Sequence, residues 1–95
     1  MNKINEQERH VMTRFIMTFV EDKDADAHSA KLRAMTDEEL DHEHYKVFRS
    51  ALNIADKVVA SEVPSHVAQS IARLTLRFLE THTELLTLLA SIDAV

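Results

Sequence analysis

Glycine is absent from all 95 residues, and the single proline is Pro64. Tight β-hairpins and phosphate-cradling loops need residues that tolerate positive φ or a close backbone approach. This chain therefore lacks the parts for an all-β fold or a Gly-rich nucleotide site. What remains is an all-α fold. At 10.9 kDa the chain suffices for one helical domain spanning 1–95, and no cysteine is present to staple it or to hold a metal through thiolate. The lack of cysteine, and of a leading apolar stretch with a cleavage site, makes a cytoplasmic location the expectation. The longest strongly apolar run, residues 85–90, falls far short of the ~20 residues that cross a bilayer, so no membrane role is expected.

Apolar periodicity predicts three main helices. In the first, at about 5–20, Val11, Met12, Phe15, Ile16, Phe19 and Val20 recur at helical spacing. An acidic connector follows at about 21–36, with enough alanine for a short helical turn near 27–34. Thr36 and Glu39 have the spacing of a capping box, which starts a second main helix at about 37–62. Pro64 closes that helix, and Ser65 is placed to cap a third at about 65–93. The two long helices then form a hairpin turning at Pro64.

Both long helices carry more apolar surface than one neighbour covers. In the third, Ile71, Leu74, Phe78, Thr81, Leu85, Leu88 and Ile92 alternate by three and four residues, broken only by Thr81. Leu89 falls in the same arc, and Leu76, Leu79 and Leu86 widen it to about half the helix. Leu40, Val47, Ala51, Ile54, Ala55 and Val58 sweep a similar arc on the second. A helix of about 26 residues is ~39 Å long, whereas one of about 16 residues is ~24 Å. The first helix is therefore too short to cover the whole hairpin. Leu76, Leu79, Leu86 and Leu89 are expected to stay partly uncovered and form an interface. The expected bundle is completed by a homodimer or by another protein.

Charge is concentrated in the middle of the sequence. From Glu21 to Glu43 nine acids stand against Lys23, Lys31 and Arg33, a balance of −6; the net −5 of the whole chain leaves +1 for the rest. Asp22, Asp24, Asp26, Asp37, Glu38 and Asp41 form a candidate acidic patch. Such a field repels phosphate backbones, so direct nucleic-acid binding is not expected. It suits instead a basic partner, and one reading of the chain is a nucleic-acid mimic occupying the basic groove of a DNA- or RNA-handling enzyme.

Motifs that would carry catalysis or cofactor binding fail on inspection. Asp22, Asp24 and Asp26 have the opening spacing of an EF-hand loop, but Ala27 stands where Gly is needed and Arg33 where a bidentate Glu belongs. Glu39 and His42 make half of a di-iron signature with no second copy. Arg77 and His82 match the Arg–His spacing of small helical ribonucleases, a match expected about once by chance among six Arg and six His. No cofactor, resident metal or enzymatic activity is expected. One polar pair stands out. His44 and His82 fall inside the apolar faces of the two long helices, and a hairpin turning at Pro64 brings them within a turn of each other. They form a candidate buried pair for a proton- or metal-responsive helix contact. The reading that best fits the sequence is a small non-enzymatic regulator, adaptor or inhibitor that binds other proteins through exposed leucines.

Overall fold

A computed structural model of the chain describes residues 3–61 and 65–92. Among them are four α-helices, one 3-10 turn and no strand: α1 (Glu6–Met17), the turn Asp22–Asp24, α2 (Ala25–Arg33), α3 (Asp37–Ala60) and α4 (His66–Ile92). Positive φ is also absent among these residues, in keeping with a chain that has no glycine. The first main helix stops at Met17, short of the expected 20, and the connector's helix starts at Ala25 rather than near 27. Glu62, Pro64 and Asp93, the expected limits of the two long helices, lie outside the described residues.

Helix starts are set by side chains. At α1, Asn5 accepts from the Glu8 amide at 2.7 Å while Glu8 accepts from the Asn5 amide at 3.1 Å. At α3, Thr36 and Glu39 make the same reciprocal cap at 3.2 and 2.9 Å. This contact holds the Glu39 carboxyl below its ordinary pKa. At α4, Ser65 accepts from the Ala68 amide at 3.2 Å. Gln69 then reaches across the hairpin to the Val58 and Ser61 carbonyls at 2.6 and 3.2 Å, joining the Ser61 hydroxyl, which donates to Val58 at 2.7 Å, in closing the end of α3.

The core is small and drawn from every helix: Met12, Phe15 and Ile16 of α1, Leu32 of α2, Leu40 and Ala51 of α3, and Leu79 of α4. Alanines at 51, 55 and 72 are buried along the hairpin. Their small side chains let α3 and α4 approach closely. Leu32 is fully buried, so the acidic connector contributes one apolar plug; Met35 packs against the core at its edge, and Ala34 is exposed.

Arg9 ties the connector to α1. Its guanidinium pairs with Asp37 at 3.0 Å, donates to the Leu32 carbonyl at 3.2 Å, and also donates to the Met35 carbonyl. Asp37 accepts in addition from the Ile4 amide at 3.2 Å. One cation thus satisfies the C-terminal carbonyls of α2 and fixes the first turn of α3. Arg9→Ala is expected to lower stability by about 2 kcal/mol, since it strands partly buried acceptors. Lys23→Ala, which breaks an exposed pair with Glu21, is expected to change it by less than about 0.5 kcal/mol. Urea unfolding of the two variants checks both values.

Candidate functional site

With 12 residues, α1 is ~18 Å long, against ~36 Å for the 24 residues of α3 and ~40 Å for the 27 of α4. It lies along the end of the hairpin farthest from the turn. Asn5 donates to the Leu89 carbonyl at 3.1 Å, and Phe15 packs on His44, Phe48, Phe78 and His82. Beyond Phe19 its track continues as an empty apolar groove of about 620 Å³ between α3 and α4, lined by Val47, Ile54, Val58, Ile71 and Ala72. The molecule measures 45 × 35 × 17 Å, thin enough for two helical layers and no third. Its radius of gyration is 15.0 Å, where a compact domain of this length has about 12–13 Å. Its exposed surface is 7046 Å², roughly a quarter above the ~5,600 Å² usual for a folded monomer of this mass.

That excess surface is not on the four leucines expected to form the interface. Leu79 is in the core at 2 % exposure, Leu86 packs against the core, and Leu76 and Leu89 are half-buried. The exposed residues are instead Val67, Ile71, Leu74, Phe78, Leu85, Leu88 and Ile92, each 41–68 % exposed. The physical reason is the width of the apolar arc on α4. Buried Ala72 and Leu79 point about 140–160° around the helix from Leu74. The edge holding a small residue packs against α3, and the regular three-four stripe is left mostly outward, with Phe78 near its middle partly covered by Phe15 of α1. Periodicity locates both edges of such an arc without saying which one turns inward.

His44 and His82 do meet. Their Nε2 atoms are 2.7 Å apart, so one ring donates and the other accepts, which requires the acceptor to be neutral. His82 is 5 % exposed, and the Phe15 ring stacks on it at 4.1 Å with the planes 18° apart. Burial, reinforced by His44, pushes the His82 pKa down to about 4. Burial also lowers that of His44, opposed in part by the Asp41 carboxylate. Both rings are therefore neutral near pH 7. Among the described residues no group of three or more His, Asp and Glu is arranged to hold a metal ion, and Asp41 is an exposed residue of α3.

The candidate acidic residues divide between two roles. Asp22, Asp24, Asp26, Glu38 and Asp41 are exposed, whereas Asp37 is engaged by Arg9 and the Ile4 amide. Arg9 and Phe15, the residues that organise this end of the molecule, are not signalled as such by the sequence, since their roles depend on which helices meet. No helix among the described residues is long and apolar enough to cross a membrane. No protein-family model matches this chain, and comparison with curated proteins and with solved structures gives no match.

The lowered histidine pKa values set a pH dependence. Unfolded histidine titrates near 6.5, so below that pH the unfolded chain takes up protons that the folded pair resists. Stability is fully present above about pH 6.5, and is lost as pH falls through that value toward the His82 pKa of about 4. Each tenfold depression is worth about 1.4 kcal/mol. Thermal melts from pH 8 to 4.5 are expected to show a fall in Tm below pH 6.5 that is reduced in His82→Gln. An equal acid sensitivity in the variant would assign the effect to other groups.

Proposed function

We propose that this chain is a non-enzymatic binding protein whose working surface is the apolar stripe of α4 and whose partner is a protein helix. The observation that carries this reading is the stripe itself: seven large apolar residues, three or four apart over Val67 to Ile92 except at Thr81, and 41–68 % exposed. Monomeric proteins rarely leave so continuous a patch open to water. Two apolar positions in every seven residues is the spacing with which one helix seats on another. The empty groove beyond Phe19 adjoins the stripe at Ile71 and extends the apolar surface toward α3.

A regulator, adaptor or inhibitor works through such a face without chemistry of its own. The histidine pair supports this division of labour. With His82 titrating at about 4, the pair acts near neutrality as an uncharged hydrogen bond inside the fold rather than as an acid–base couple.

The competing reading places binding on the exposed acids, and salt separates the two. Soluble copies of the chain and lysate proteins are passed over the immobilised chain, first wild type and then Leu88→Glu. Retention that persists from roughly 0.05 to 0.5 M salt and is lost in Leu88→Glu is the expected result. Retention that disappears with salt and ignores Leu88→Glu would move the binding surface to Asp22, Asp24, Asp26, Glu38 and Asp41.

A further inference from the structure

We propose that the occupant of the α4 stripe is a second copy of this chain, its α4 running antiparallel in the register where facing residue numbers sum to 159. The inference rests on the reading of the stripe as the binding face and adds the identity and direction of the partner. In this register Val67 faces Ile92, Ile71 faces Leu88, Leu74 faces Leu85 and Phe78 faces Thr81, each contact occurring twice about the dyad. No stripe residue is left over. An interface related by a twofold axis must be self-complementary in this way.

Three features favour this arrangement over others. The first is shape. Thr81 is the one small polar residue in the stripe and Phe78 the one ring, and the antiparallel register sets each against the other beside the dyad. A parallel register would set Phe78 against Phe78 and Thr81 against Thr81, losing the large-against-small fit that fills an interface.

The second is charge. Arg77 and Glu84 flank the stripe on one edge, both are exposed, and among the described residues neither is ion-paired within its own chain. In the proposed register Arg77 lies ~3 Å along the axis from Glu84 of the second copy, and the reverse pair forms at the same time. A parallel alignment would offer these two side chains His82 and Leu89, which are already engaged in the subunit's own core.

The third is area. Seven residues at 41–68 % exposure offer at most roughly 700 Å² per protomer, of the same order as the ~800 Å² per partner of a standard stable interface. Cover for the open end of the hairpin follows as well. α1 flanks residues 78–89 of α4, where Phe15 meets Phe78 and Asn5 meets the Leu89 carbonyl. The twofold operation lays the second copy's α1 beside residues 70–81 of this one, the stretch adjoining the empty groove.

The chain has no cysteine, so introduced thiols report contacts without background. Leu74→Cys and Leu85→Cys are made separately, checked for helicity, and oxidised alone and as an equimolar mixture. In the proposed register residues 74 and 85 are opposite, whereas two copies of residue 74 lie ~16 Å apart along the axis, beyond the reach of a disulfide. The mixture is expected to cross-link and each variant alone to stay uncrosslinked. Cross-linking of Leu74→Cys with itself would overturn the antiparallel register, and absence of any cross-link would overturn the second copy as occupant.

Surface variants give a readout that does not touch the apolar contacts. Arg77→Glu and Glu84→Arg are each expected to weaken self-association roughly tenfold, and the double variant R77E/E84R to recover most of it. Failure of the double variant to recover contradicts the register. If the chain neither cross-links nor self-associates but still shows salt-resistant, Leu88-dependent retention of another protein, this inference fails and the binding-face reading survives. Loss of that retention as well would remove both.

Discussion

The structure is governed by a mismatch of lengths. A 24-residue and a 27-residue helix form the hairpin, and among the described residues the longest helix besides them has 12 residues. Burial of apolar surface drives folding in proportion to the area removed from water. Once α1 is seated at one end, the described residues supply only the short α2 toward the remainder. The thin 45 × 35 × 17 Å shape, the 15.0 Å radius of gyration and the 7046 Å² of exposed surface all express this shortage. α2 offsets it only slightly, since its buried contribution is Leu32.

The seated end is built with more polar precision than its small core requires. Phe15 lies at the centre of an aromatic group formed with Phe48, Phe78 and the two histidines. The His44–His82 hydrogen bond crosses from α3 to α4 beside it. An apolar pair would pack there without a titration cost. A donor–acceptor pair with one satisfied geometry instead favours a single register of the two helices, as buried polar contacts do in some helical assemblies. Arg9 does the corresponding work between α1, the end of α2 and the start of α3. Among the described residues, no buried side-chain nitrogen or oxygen is left without a partner.

Much of this was legible in the sequence because it rests on local rules. The Thr36–Glu39 spacing locates the start of α3, helical periodicity finds the long elements, and hairpin arithmetic alone brings His44 to His82. The misplacements arise where tertiary choice decides. Leu79 and Phe78 are adjacent and comparably apolar, yet one is 2 % and the other 43 % exposed. Which of them turns inward depends on alanines 51, 55 and 72 permitting close approach along one edge of α4. The Asn5–Glu8 cap has the same spacing logic as Thr36–Glu39. Arg9 had no local signature because its acceptors, the Leu32 and Met35 carbonyls, are 23 and 26 residues away.

The length mismatch implies that the outward face of α4 is covered by a partner at working concentrations. Sedimentation equilibrium over a wide concentration range, on wild type and on Leu74→Glu, addresses this most directly. The expected result is a wild-type mass approaching twice 10.9 kDa as concentration rises, with the variant held at the single-chain mass and its helicity retained. A wild-type mass that stays at 10.9 kDa throughout, with no difference between the two proteins, would contradict it.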